Sequence, residues 1–204
     1  FILTSFNKSL EMGPDERVRI AFGQRFRQIR KWKGYTQIAL AQRLKINKAE
    51  ISRIENAKRS PRFSKLAALA NALELALVDF FSDEHVIPSA KIPAAKNNNT
   101  PQLTGRSSST QTSRKFTPLK VTEEKQRFGK RLQDIRKQRK LVQVDVELVS
   151  HVPSSDISRF ENGLGNIELN TIAMLADALE VPVSALFDYE GPLPDNGAVK
   201  NRRL

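Results

Sequence analysis

A constant offset of 106 residues organises this chain. Phe22 to Phe81 aligns with Phe128 to Phe187 without a gap, and nineteen of the sixty pairs are identical. The matches fall in blocks: Phe22-Gly23 with Phe128-Gly129, Ile29-Arg30-Lys31 with Ile135-Arg136-Lys137, Ile51-Ser52-Arg53 with Ile157-Ser158-Arg159, Glu55-Asn56 with Glu161-Asn162, and Ala72-Leu73-Glu74 with Ala178-Leu179-Glu180. A repeat this long is two copies of a whole domain, because solenoid units run to only about 20–50 residues. Each copy is therefore expected to carry its own core. The expected organisation is an N-terminal extension at 1–16, a first domain at 17–83, a linker at 84–120, a second domain at 121–190 and a basic tail at 191–204. The linker holds Asn97-Asn98-Asn99, Ser107-Ser108-Ser109 and four prolines with few large apolar residues, a composition expected to be disordered and flexible.

Within a copy, apolar residues recur at helical spacing. Val18, Phe22, Phe26 and Ile29 make one stripe, Leu40, Leu44 and Ile46 a second, Ile51 and Ile54 a third, Leu66, Leu69, Ala70 and Leu73 a fourth; Leu77, Phe80 and Phe81 close the set. Five short helices per copy follow, with no alternating pattern to suggest strands, so the fold class is all-α. Thr36 and Asn47 stand where N-caps would begin the second and third helices, and Asn47 with Glu50 three residues on resembles a capping box. Phe22, Phe26, Phe80 and Phe81 fall at core spacing, and that reading outweighs a stacking surface for single strands. Trp32 reads as a surface or interface residue.

The chain carries 34 Lys+Arg against 22 Asp+Glu, a net charge of +12, which favours a polyanionic partner such as nucleic acid or an anionic membrane surface. A membrane role would need a basic amphipathic surface helix, and the basic first helix uses its apolar stripe for the core. No apolar run approaches the roughly 20 residues of a membrane span. Phe1 to Leu10 is interrupted by polar residues, so no signal peptide is expected, Met12 is a candidate natural start, and the expected location is the cytoplasm. With no Cys and only two isolated histidines, His85 and His151, the chain offers no disulfide, thiolate site or ligand cluster, and no metal or cofactor is expected. No nucleophile and base pair or Gly-rich phosphate loop appears, so an enzyme is the weakest option.

Thr36-Gln37-x-x-Leu40-Ala41, followed by Ile51-Ser52-Arg53-Ile54-Glu55-Asn56 and Ser60-Pro61, resembles the lambda-repressor-like (Cro/repressor, XRE) helix-turn-helix family. The resemblance covers about residues 17–83 and, in eroded form, 123–189. It implies two tandem five-helix domains whose third helix enters the major groove of double-stranded DNA. By that resemblance Gln37 contacts a phosphate, Lys48, Ala49 and Arg53 face base edges, and Asn47, Asn56, Lys58 and Arg59 hold the backbone. Arg53 is the candidate for a bidentate contact to guanine. Arg30 with Glu55, and Arg136 with Glu161, are implied to be buried structural ion pairs rather than catalytic groups. The basic first helix, with Arg25, Arg27, Arg30, Lys31 and Lys33, reads either as a merely solvated face or, by the resemblance, as one that lies near phosphates. The 37-residue linker would span about 30–36 Å as a random coil, close to one turn of duplex.

The copies differ in charge. Residues 15–83 carry 15 basic and 7 acidic side chains, a net +8, whereas 121–190 carry 9 and 12, a net −3. Lys48, Lys58 and Arg59 are replaced by Ser154, Leu164 and Gly165; Ala41 and Leu44 become Glu147 and Ser150, changes expected to weaken packing of the second helix. Because neutralised phosphates dominate binding free energy, the first copy is expected to read DNA. The second is expected to supply either a weaker DNA site, through Gln143, Ser154, Ser155, Arg159 and Asn162, or a surface for self-association or a protein partner. The expected function is a prokaryotic transcriptional repressor acting at an operator. The alternative is an antitoxin or bridging coactivator in which one copy docks a protein.

Overall fold

The computed structural model describes residues 12–82 and 120–195. The expected extension before Met12, nearly all of the expected linker and the end of the basic tail lie outside the described residues. Helix α1 spans Pro14–Trp32, α2 Gln37–Arg43, α3 Lys48–Glu55 and α4 Phe63–Leu73, and a 3-10 turn, Leu77–Phe80, stands where a fifth helix is expected. The second copy repeats this order as α5 Val121–Gln138, α6 Gln143–Ser150, α7 Ser154–Glu161, α8 Leu169–Ala178 and α9 Val183–Phe187. Among the described residues the fold is all-α apart from one isolated bridge.

Local chemistry accounts for the helix starts. Pro14 opens α1, whose first turn carries Asp15 and Glu16 and whose last carries Arg30 and Lys31, the order that complements the helix dipole. Thr36 Oγ1 accepts from Ala39 N at 3.1 Å, and Asn47 Oδ1 accepts from Ala49 N at 2.8 Å. The expected box at Asn47 is only half formed, because Glu50 turns instead to Lys65 Nζ, 3.3 Å away on α4. The second copy lacks both capping side chains and compensates from inside the helices: Asp145 Oδ2 accepts from Val142 N at 2.8 Å.

Phe22, Phe26, Ile29, Leu40, Ile51, Ile54, Leu66, Leu69 and Leu73 form the core of the first copy, as their spacing predicts. Leu44 and Ile46 pack at its margin, and Trp32 is half exposed. At Gly23 an added Cβ would come within 2.7 Å of Ile54 O and 2.9 Å of Glu55 O, so only glycine lets α1 press against the end of α3. A Cβ at Gly129 would come closer still to the carbonyls of Phe160 and Glu161.

Beyond the linker, the two copies meet. Arg62 bridges Glu168 as an isolated antiparallel pair, with Phe63 N donating to Ile167 O at 2.7 Å and Leu169 N donating to Pro61 O at 3.0 Å. Residues 62 and 168 occupy the same position in the repeat, and the two hydrogen bonds interchange when the copies do. A pseudo-two-fold axis therefore runs through this bridge. Ser64 N donating to Asn166 Oδ1 at 2.9 Å and Asn170 N donating to Ser60 Oγ at 3.0 Å interchange in the same way. Phe81 and Phe187, again equivalent, stack on one another with centroids 4.8 Å apart and planes 5° from parallel. Phe63 packs on Phe128 and Phe187, at 5.2 and 6.1 Å. Around this axis α1 lies along α8, α4 meets α5, and the Leu77–Phe80 turn meets α9. The copies keep separate helical frameworks but share one continuous apolar interior.

Replacing Gly23 with Ala forces α1 away from α3 in an already close-packed core, at a cost of about 1–3 kcal/mol. Urea unfolding of Gly23→Ala is expected to show a midpoint well below that of the parent chain; an unchanged midpoint contradicts the close approach.

Candidate nucleic-acid interface

Helix α3 is held from behind by a buried ion pair. Arg30 from α1 pairs with Glu55 through Nε to Oε1 and through Nη2 to Oε2 at 3.1 Å, while Nη1 donates to Tyr35 O at 2.6 Å. Gln37 Nε2 completes the cluster by donating to Glu55 Oε2 at 2.8 Å. One carboxylate thus ties together the first helix, the start of the second and the end of the third. In the second copy Arg136 donates to Glu161 at 2.6 and 2.9 Å and to Leu141 O at 2.8 Å, and Gln143 Nε2 donates to Glu161 Oε2 at 2.9 Å. Burial pushes the Glu161 carboxyl up, but donors from Arg136, Gln143 and Gln133 outweigh it and hold the group below the ordinary carboxylate range. The Glu161 hydrogen bond correspondingly raises Arg136.

With Ile51, Ile54 and Glu55 turned inward, the other face of α3 is left to solvent. Lys48, Ala49 and Arg53 are exposed on it, and Lys58 and Arg59 follow in the next turn. Arg53, Lys58 and Arg59 make no side-chain hydrogen bond or ion pair among the described residues. The remaining first-copy candidates are partly engaged. Gln37 holds Glu55, Asn47 caps α3, and Asn56 Nδ2 folds back onto Ser52 O at 2.8 Å. A turn through Lys45, which adopts a left-handed φ of 54°, joins α2 to α3. Two short helices at a fixed angle, the second with a polar outer face, make the arrangement that docks a helix into the major groove.

A helix-turn-helix family profile matches residues 26–80 and again 132–186, more than half of the chain. The chain belongs to this helix-turn-helix family. It is thus a DNA-binding transcription regulator by family, with two tandem copies at the 106-residue offset. No curated protein and no solved structure matches it. No helix among the described residues is long and apolar enough to cross a membrane.

The second helix-turn-helix unit keeps the frame and alters the face. Arg159 lies 3.6 Å from Asp156 one turn back. The equivalent acid in the first unit, Glu50, is drawn to Lys65 instead, and position 171, which answers to Lys65, is Thr. With no lysine at that position, the acid of the second unit faces Arg159 instead. Ser155 and Asn162 are exposed, with Asn162 Nδ2 donating to Ser158 O at 2.7 Å.

The substitutions expected to loosen α6 do other work. Ser150 is buried and accepts from Val152 N at 3.2 Å, and Glu147 Oε2 accepts from Ser154 N at 3.0 Å, capping α7 where Pro153 cannot. The hydrogen bonds from Ser154 hold the Glu147 carboxyl below its ordinary value.

Sequence reasoning also missed Arg131, whose guanidinium donates to the carbonyls of Ala185, Gly191 and Pro192 at 2.7–3.0 Å and locks α9 in place. Its counterpart Arg25 reaches the carbonyl of Asp79, the residue equivalent to Ala185, so it serves the fold rather than a solvated face. The identity of Arg25 with Arg131 across the offset is the signal that could have found this contact.

Glu161 has a folded-state pKa below its unfolded value of about 4.3. Its contribution to stability is therefore complete above that value and is lost as the pH falls through the folded one. Glu161→Gln is expected to lose about 3 kcal/mol at pH 7, and its stability should decline more shallowly than the parent's as the pH drops below about 4.3. Denaturant midpoints measured across pH check this; parallel acid limbs contradict it.

Proposed function

We propose that the chain is a sequence-specific transcriptional repressor of a prokaryotic cell, occupying an operator chiefly through its first helix-turn-helix unit. The observation that carries this reading is the contrast between two equivalent arginines. Arg53 stands exposed without a charged partner, flanked by Lys48, Lys58 and Arg59, whereas Arg159 faces Asp156 on a unit of net charge −3. Each phosphate neutralised releases counterions, so the basic unit gains more affinity than the acidic one. A free guanidinium can approach guanine O6 and N7 in bidentate geometry, a contact worth about 1–3 kcal/mol of discrimination.

A specific observation favours a second reading, in which the second unit also docks a protein, as an antitoxin or bridging coactivator would. Val142, Val144, Leu148 and Val149 are large apolar side chains left exposed on α6 and its N-cap, and Leu164 is exposed after α7. At four of these positions the first unit has Thr36, Gln42, Arg43 and Lys58. Several large apolar side chains exposed on one short helix are a feature of interaction surfaces.

One gel-shift series with a selected duplex weighs both readings. Arg53→Ala is expected to abolish specific binding, Arg159→Ala to cost distinctly less, and Leu148→Glu to leave duplex affinity unchanged while regulation in cells is lost. Equal losses from the two arginine variants contradict the division of labour. Full regulation by Leu148→Glu removes the case for a docked protein.

A further inference from the structure

We infer that the chain acts as its own dimer, binding one stretch of duplex as a single molecule that spans two half-sites of unlike sequence at a fixed spacing. The inference rests on the DNA-binding reading above and specifies the form of the target. It begins from the pseudo-two-fold axis through Arg62 and Glu168. A duplex backbone has local two-fold axes of its own, and paired helix-turn-helix units exploit them by presenting two third helices about one turn apart. Here both units reside in one chain, already joined about such an axis.

The third helix of the first unit lies beside that axis. Glu50 and Ile54 of α3 line one groove together with Arg59, Arg62, Lys65 and Glu168, the last from the other copy. By pseudosymmetry α7 takes the corresponding place across the axis. The outer positions of α3 read Lys48, Ala49 and Arg53, and those of α7 read Ser154, Ser155 and Arg159. Helices with different side chains read different bases, so the two half-sites form no palindrome.

Divergence of the copies also selects this pairing over any pairing between chains. Arg62 Nε lies 3.2 Å from Glu168 Oε1. Two first copies joined by the same interface would set Arg62 against Arg62, and two second copies would set Glu168 against Glu168. Like charges directly opposite one another in an antiparallel pair are destabilising. Asn170 Nδ2 adds a contact available only to the mixed pair, donating to Asp15 Oδ2 at 3.2 Å, because position 121, the equivalent of Asp15, is Val. Both copies belong to one chain, so their pairing is intramolecular, which adds to the preference.

The test uses the full chain, which contains no native cysteine. Positions 62 and 168 form the pair not flanked by its own hydrogen bonds, for which Cα atoms stand about 4.5 Å apart, inside the range that a disulfide spans. Oxidised Arg62→Cys/Glu168→Cys is expected to cross-link within single chains. The locked chain should bind a duplex selected from random sequence as the reduced chain does, with one chain per duplex by light scattering. Inserting about five base pairs, half a turn, between the selected half-sites should weaken binding about tenfold or more.

Cross-links between chains, loss of binding on locking, two chains per duplex, or tolerance of the insertion would each overturn the inference while leaving DNA binding intact. A chain that cross-links as expected but selects no duplex sequence overturns the DNA-binding reading itself, and this inference with it.

Discussion

The pairing of Phe63 with Ile167 and of Leu169 with Pro61 is the constraint on which the shape of the molecule depends. These two backbone hydrogen bonds set equivalent segments antiparallel, and that relation places every other element of one copy with respect to the other. Each bond alone contributes only about 1 kcal/mol. They act together with the aromatic cluster beneath, where Phe81 stacks on Phe187 and Phe63 fills the space beside Phe128. Phe63 is fully buried, and burial of a phenylalanine stabilises by about 1.5–3 kcal/mol. The hydrogen bonds supply direction, and the rings supply most of the free energy.

A second constraint operates inside each copy. A buried carboxylate, Glu55 or Glu161, is surrounded by arginine and glutamine donors reaching from the two preceding helices. An isolated buried charge is costly, so once Glu55 is inside, Arg30 and Gln37 must come to it. The cluster therefore orients the third helix as much as it stabilises the core. It explains how the second copy can lose both N-cap side chains of its helix-turn-helix and still tie α7 to α5 and α6. The frame is kept while the outer face drifts to serine, aspartate and exposed valine and leucine.

Much of this was legible in the sequence, for identifiable reasons. Apolar spacing located the helices because the 3.6-residue period is a local property, and the charge tally separated the copies because it needs no geometry. The family profile then matched both copies. Tertiary relations were harder to read. Gly23 and Gly129 were visible as an identical pair, but a close approach between helices leaves no local pattern. Arg25 read as solvent-facing charge on a basic helix and Arg131 drew no notice, because their carbonyl partners lie some 54–61 residues away. Arg62 drew no notice, since one bridge between copies has no strand periodicity. Gln37 and Asn47 were assigned to the backbone of DNA from the resemblance, and both already hold bonds within the fold.

Amide hydrogen exchange at Phe63 and Leu169, in the full chain without DNA, tests the central relation most directly. The acceptor of each amide lies on the other copy, so protection requires the copies to stay together. The account predicts that both amides exchange slowly and to a similar extent, approaching the protection of core amides such as those of α4 and α8. Fast exchange at both positions, with the cores of the two copies still protected, would show two independent domains and contradict it.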